Sequence, residues 1–262
     1  MFLEGSILAD SFMLGLFLLV LASFVAGFID SVAGGAGLVL VPSFILCGMP
    51  TQIALGQEKL VSTLGTFSAI FNFFKNKKIV WAFCVVGVPL ALVGAWIGAK
   101  MILFLDEVLA GKIVAALMPL GLLFSFFPKK DAELETHVTP FKKLFVFPLL
   151  CLVIGFYDGF FGPGTGSLLI LALHFVMNLN LVNASATSKI FNLASNAGAF
   201  VAFAVAGKML FLVGLPMIFA SILGNFVGSK IAIQKGSSFI RYLLFFVIFL
   251  LFVSLVYKYF LL

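Results

Sequence analysis

Ten runs of at least 14 residues without Asp, Glu, Lys or Arg occupy positions 11–29, 31–57, 60–74, 79–99, 113–128, 144–157, 159–188, 190–207, 209–229 and 242–257. A helix that crosses the hydrocarbon core of a bilayer needs about 20 predominantly apolar residues, so roughly eight to ten crossings consume the chain. A soluble globule is excluded. Of the 262 residues 63% are hydrophobic and 10% charged, against roughly 45–50% and 25% in soluble domains, and the mean hydropathy is +1.26. No length remains for a separate soluble catalytic or nucleic-acid-binding domain, so any function has to be built inside the membrane. The net charge of +6 then reports orientation rather than a nucleic-acid partner.

The runs repeat. Their lengths go 19, 27, 15, 21, 16 and then 14, 30, 18, 21, 16, with a lone Asp ending the first run of each half and a lone Lys opening the third. Gly27-Phe28-Ile29-Asp30 matches Gly155-Phe156-Tyr157-Asp158 at an offset of 128, Lys59 matches Lys189 and Lys78 matches Lys208 at 130, and Pro89 matches Pro216 at 127. Gly94-x-x-x-Gly98-x-Lys100 recurs as Gly224-x-x-x-Gly228-x-Lys230. Duplicated halves are how transporters and channels build a substrate site at the repeat interface near the bilayer midplane, although a duplication can also build nothing more than a stable bundle. The division is 1–128 for the N-terminal membrane repeat, 129–143 for a polar linker holding four Lys, three acidic residues and His137, and 144–262 for the C-terminal repeat.

The second run of each half is broken. Gly34, Gly35 and Gly37 precede one and Gly162-Pro163-Gly164-Thr165-Gly166 the other, so residues 38–47 and 167–177 are read as short helices that cross or re-enter. Five crossings per half make the halves inverted and place Lys75, Lys77, Lys78, Lys129, Lys130, Lys142, Lys143, Lys230, Lys235 and Arg241 on one side against Lys100, Lys112, Lys208 and Lys258, ten to four. Re-entrant short helices make the halves parallel and the split nine to five. The positive-inside rule favours the inverted arrangement, with both termini periplasmic and the linker cytoplasmic. The expected fold is an all-α integral membrane protein of two inverted halves, with eight full spans and two short or broken helices, up to ten segments. Residues 1–10 hold Glu4 and Asp10 but no Lys or Arg, unlike the basic start of a secretory signal, and lead into the first span.

Ionisable residues within apolar runs are costly and so are functional candidates: Asp30, Glu58, Lys59, Asp158, His174 and Lys189. Asp30 and Asp158 each lie four residues before a glycine cluster, where the backbone can unwind and aim helix N-terminal amides at an anion. Each Asp either accepts bonds from those amides as a structural carboxylate or carries a coupling proton. Lys59 follows Gln57-Glu58 and Lys189 follows Thr187-Ser188. A buried ammonium beside free amides makes an anion site, and Glu58 can neutralise Lys59 whereas Ser188 cannot do so for Lys189. Lys189 is thus the preferred ligand, with a snorkelling or Asp-paired structural lysine as the alternative. Ser185, Asn192 and Asn196 share its helical face, suited either to an oxyanion or to helix–helix hydrogen bonds. His174 has no repeat mate and is a packing residue or a proton relay. Cys47, Cys84 and Cys151, with no CxxC spacing, are buried packing residues. Nothing calls for a metal or a cofactor, and no catalytic residue is assigned, because an intramembrane enzyme would need a nucleophile and base together.

Two segments carry a family resemblance. Gly155-Phe-Tyr-Asp-Gly-Phe-Phe-Gly-Pro-Gly-Thr-Gly-Ser167 with Ala184-Ser-Ala-Thr-Ser-Lys189-Ile-Phe-Asn192-Leu-Ala-Ser-Asn196 resembles the second-half signature of the TauE/SafE (TSUP) membrane transporters. Gly27-Phe-Ile-Asp30-Ser-Val-Ala-Gly-Gly-Ala-Gly37 with Ala54-Leu-Gly-Gln-Glu-Lys59-Leu resembles its first-half counterpart, departing from it at Ala36 and Gln57-Glu58. The resemblance implies secondary transport, across the inner membrane, of small sulfur-containing anions such as sulfite or a sulfonate. The residues then expected at the substrate are Lys189, Asn192, Asn196, Ser185, Thr187, Gly164, Thr165, Gly166, Lys59, Gln57, Gly35 and Gly37, with Asp30 and Asp158 coupling or structural. The expected partners are the bilayer, a small anion and the coupling proton, the chain acting as monomer or homodimer. A passive anion channel and a carrier of a non-sulfur organic anion are the alternatives.

Overall fold

The computed structural model describes residues 2–126 and 138–256, and only the backbone of 115, 118–126 and 236–256. Most of the linker expected at 129–143, with His137, lies outside the described residues. The described elements are helices: α1 (Ile7–Asp10), α2 (Phe12–Ala33), α3 (Ala36–Leu46), α4 (Thr51–Lys75), α5 (Cys84–Phe104, after a tight turn at Trp81–Phe83), α6 (Glu107–Phe126), α7 (Phe147–Phe160, continuing a wider turn at Lys142–Val146), α8 (Thr165–Leu171, running on through a wide turn at Ala172–Val176), α9 (Leu181–Val205) and α10 (Phe211–Val256).

Local sequence explains the breaks. Gly34, in the left-handed region at φ 77°, ends α2 by donating its N–H to the Asp30 carbonyl, and Gly164 at φ 87° precedes α8. Pro50 stands before α4. The Asn180 side chain caps α9, accepting from Asn183 N at 2.9 Å. The two short helices begin two residues before the expected 38 and 167. At 11 residues α3 is about 16 Å long, half a hydrocarbon core.

Among the described residues four stretches are long and apolar enough to cross a bilayer: Phe12–Ala33, Trp81–Phe104, Lys142–Phe160 and Phe211–Lys235. Helices α4 and α9 are as long, 25 residues each, but turn a polar face inward. The separate spans expected at 209–229 and 242–257 are corrected: the chain runs through both as one 46-residue helix, about 69 Å at the α-helical rise. In the first half the equivalent junction is broken by extended Leu105 (ψ 149°) and by Asp106, whose Oδ1 accepts from Leu109 N at 2.8 Å to start α6. At the same offset the second half has Gly236, which has no side chain to form that cap.

The halves exchange partners. Helix α5 packs on α7 and α9 of the second half, α10 packs on α2 and α4 of the first, and α4 meets α9 in the middle. Small residues allow these crossings. A Cβ on Gly94 or Gly98 would strike the carbonyls of Leu152 and Phe156, and one on Gly224 or Gly228 would strike those of Phe24 and Phe28, the repeat-related positions. One turn further, Lys100 lies 4.0 Å over the Trp96 ring and Lys230 4.3 Å over the Phe226 ring. Large apolar side chains such as Val85, Phe104, Val205 and Leu212 cover the outside, whereas the polar residues of α4 and α9 are buried. That is the inverse of a soluble protein and suits a lipid surround.

Candidate functional site

The two helix breaks cross at the centre. Ser167 N donates to Gly34 O at 3.0 Å and Ser167 Oγ to Ala33 O at 2.9 Å, joining the start of α8 to the end of α2. Gly34 and Gly166 lie backbone on backbone, and a Cβ on either would overlap the other's main chain. Gly37 faces Pro163 in the same way, with Pro163 Cα 3.1 Å from where a Cβ would sit. First-turn amides of α3 and α8 have no intrahelical acceptor and converge here, so the crossing concentrates backbone donors in one place.

Lysine and aspartate pair across the halves. Lys59 Nζ of α4 donates to Asp158 Oδ1 of α7 at 2.8 Å and to Asn196 Oδ1 of α9 at 3.1 Å, and lies 3.0 Å from Glu58 Oε2. Lys189 Nζ of α9 lies 3.0 Å from Asp30 Oδ2 of α2 and donates to the Asp30 carbonyl at the end of that helix. All five charged residues are at most 3% exposed. Asp158 also accepts from Ser195 Oγ, and Asp30 Oδ1 receives a long 3.5 Å bond from Ala36 N. Lys189 is therefore the Asp-paired lysine, and it closes a bond between halves.

Between these elements lies a small cavity of about 220 Å³ of non-atom space, narrow enough that its centre holds roughly one water. Its walls are Asp30, Glu58 and Asp158, the glycine segments around Gly35, Gly37, Gly164 and Gly166, Thr165, Ser62, Asn192 and Asn196. Neither lysine reaches the lining, so the wall is amide-rich and carboxylate-bearing, with both ammonium groups behind it. As it stands the space is too narrow for a small oxyanion.

Three expected ligands stand elsewhere. Gln57 Oε1 accepts from Leu210 N at 3.0 Å while its Nε2 donates to Leu210 O at 3.3 Å, and Thr187 Oγ1 accepts from Val80 N at 3.0 Å. These positions and the two backbone amides they hold are each 130 residues apart, so the roles mirror one another: each ties its helix to the entry of a span that crosses into the other half. Ser185 Oγ donates to Val32 O at 3.2 Å, fastening α9 to α2. His174, fully buried, has Nδ1 2.7 Å from Leu179 O and braces the turn after α8. Sequence reasoning missed Ser62 and Ser195, which bond Glu58 at 2.7 Å and Asp158 respectively. Ser62 is at i+3 from Lys59, the place Asn192 holds relative to Lys189, and that register was the available signal.

Comparisons with known proteins agree across the chain. Residues 19–255 match the family described as Sulfite exporter TauE/SafE. The chain is 38% identical over 226 residues to a probable membrane transporter protein of Haemophilus influenzae, covering 83% of this chain and 85% of that one. It is 37% identical to the probable membrane transporter protein ORF9 of a Sinorhizobium species, covering 86% of each. With the probable membrane transporter protein YfcA of Escherichia coli K12 it shares 32% identity over 82% of this chain and 80% of that one. No solved structure matches.

Proposed function

Since the chain belongs to the sulfite exporter TauE/SafE family of multi-pass membrane transporters, we propose that it is a proton-coupled secondary transporter of a small sulfur-containing oxyanion, sulfite or a sulfonate, in a bacterial inner membrane. The observation that carries this reading is the crossing of two helix breaks at one buried cavity. Irregular backbone at membrane depth is stable only where protein or a cavity surrounds it, and paired breaks at a repeat interface are where secondary transporters hold substrate.

In this reading the anion takes the amides of Gly35, Gly37, Gly164 and Gly166 and the side chains of Thr165, Asn192 and Asn196, while Lys59 and Lys189 supply positive potential from behind the wall. Asp30 and Asp158 pair with those lysines and hold the helix breaks together. The halves are inverted, with α3 completing an odd number of segments, α2–α6, before residues 129–143, the N-terminus periplasmic and those residues cytoplasmic. The exchanged packing of α5 and α10, alike in both halves, supports a two-fold relation between them.

Flux into proteoliposomes of sulfite, thiosulfate, taurine and sulfoacetate, with and without a proton gradient, tests the assignment. Saturable, gradient-driven uptake of one of them supports it. Unsaturated downhill flux makes the protein a channel, and uptake restricted to carboxylates makes it a carrier of a non-sulfur anion. Labelling of a single cysteine placed at 135 from the cytoplasmic side only tests the orientation.

A further inference from the structure

The two half-sites are not equivalent, and the difference is one carboxyl group. Around Lys189 the charges balance, one ammonium to Asp30 at 3.0 Å. Around Lys59 they do not: one ammonium serves both Asp158 at 2.8 Å and Glu58 at 3.0 Å. The repeat mate of Glu58 is Ser188, which is neutral and donates to Ser185 O at 2.8 Å. With every group ionised the cavity and its wall carry three negative and two positive charges, and an uncompensated buried charge is strongly destabilising. A net negative wall also repels the anion that the amides attract.

Charge balance and hydrogen bonding together single out which carboxyl carries the excess. Both Asp158 oxygens accept, from Lys59 and from Ser195. Glu58 Oε1 accepts from Ser62, while Oε2, 3.0 Å from Lys59 Nζ, makes no hydrogen bond; Asp30 Oδ2 makes none either, but Asp30 has the Lys189 ammonium to itself, whereas Glu58 shares Lys59 with Asp158. Glu58 lines the cavity. The other ionisable groups around it are Asp158 of α7 and, across the cavity, Asp30 of α2 and Lys189 of α9. Glu107 of α6 is at the far N-terminal end of α4, accepting from Gln52 N at 3.1 Å. Helix α3 has no ionisable side chain, and no residue of α6 or α10 is in the lining.

We propose that Glu58 is the proton-carrying carboxyl of the transport cycle, binding its proton together with the anion. Protonation makes the wall neutral and gives the Glu58 carboxyl an O–H donor within the cavity wall. The anion then favours the protonated form and the proton favours anion binding by the same factor, since linkage is reciprocal. Release of one promotes release of the other. This rests on the transport reading above and adds to it which atom couples the two gradients.

The test uses the purified full-length protein in two measurements. Infrared difference spectra on changing pH are recorded without any anion for wild type, Glu58→Gln and Glu58→Ser. The serine variant copies the other half-site and leaves Lys59 paired with Asp158 alone, so it serves if the glutamine variant folds poorly. A protonated-carboxyl band present in wild type and absent in both variants is expected; its persistence in the variants overturns the proposal. In proteoliposomes with the membrane potential clamped at zero and sulfite as probe, wild type accumulates anion up to about tenfold per pH unit of gradient. The variants accumulate none, and their exchange loses its pH dependence whatever its absolute rate. Gradient-driven accumulation by either variant equal to wild type overturns the proposal. A wild type that moves none of the four sulfur anions refutes the substrate assignment, while the infrared band still decides whether Glu58 holds the proton.

Discussion

Neutralising Asp30 and Lys189 one at a time should be far worse than neutralising both. The ion pair is 3.0 Å long, Lys189 is fully buried, and its ammonium also satisfies the Asp30 carbonyl where α2 ends. At an effective dielectric constant near 20, two unit charges at that distance attract by about 5 kcal/mol. Removing one partner leaves the other charge buried and unpaired, so Asp30→Asn and Lys189→Met should each cost about 3–5 kcal/mol. The double variant removes both charges and with them the desolvation penalty. It should lie within roughly 1–2 kcal/mol of wild type, the remainder being the lost bond to the Asp30 carbonyl. Trp81 and Trp96 provide an intrinsic fluorescence signal for thermal unfolding in detergent. At about 2–4 °C per kcal/mol the single variants should melt roughly 6–20 °C lower, and the double within a few degrees of wild type at a fixed scan rate. A double variant whose loss equals the sum of the singles, with coupling below about 0.5 kcal/mol, would refute the pairing. The same proteins separate structure from binding: uptake that returns with stability in the double variant makes Lys189 a strut, and uptake that stays lost in a stable double variant makes it a ligand.

Three further perturbations address other contacts. Gly166→Ala sets a Cβ against the Gly34 backbone and should cost about 1–3 kcal/mol as overpacking while abolishing uptake, read from melting and flux together. Thr187→Val leaves the Val80 amide without its acceptor at an unchanged side-chain volume. It should lower stability by about 1–3 kcal/mol and leave the KM for the anion alone, since the side chain is not in the cavity wall. Gly98→Leu drives a branched side chain into the Phe156 carbonyl at the α5–α7 crossing and should prevent folded protein from surviving extraction, measured by size-exclusion chromatography; Phe104→Leu, on the lipid face, should leave the elution profile unchanged.

What was legible in the sequence was whatever depends on one segment at a time. The charge-free runs located the helices because membrane crossing is a property of a run, and the glycine clusters located both breaks because unwinding is local. Partner choice was not legible in the same way. Lys59 sits next to Glu58 in the chain and Lys189 next to Ser188, so a reading along the chain prefers Lys189 as the ligand, with a snorkelling or Asp-paired structural lysine as the alternative. In the folded protein the counter-ion of Lys189 is Asp30, 159 residues away, and Asp158 takes Lys59 across 99 residues. Gln57 and Thr187, expected at the substrate, have as partners the backbone of Leu210 and of Val80 in the opposite half.

The repeat itself held the missing information. When a structure is built from two copies that exchange partners, a residue's neighbour belongs to the mate's segment, so each residue should be compared with its mate before its chain neighbours. Read in that way, Lys59 and Lys189 cancel as a symmetric pair, as do Asp30 and Asp158, Gln57 and Thr187, and the two small-residue stripes. Glu58 against Ser188 does not cancel. Symmetric positions maintain the frame that both halves share, and a frame alone cannot distinguish the coupled ion from the substrate. A departure from symmetry at the cavity wall can, because it gives one half-site a titratable group that the other lacks.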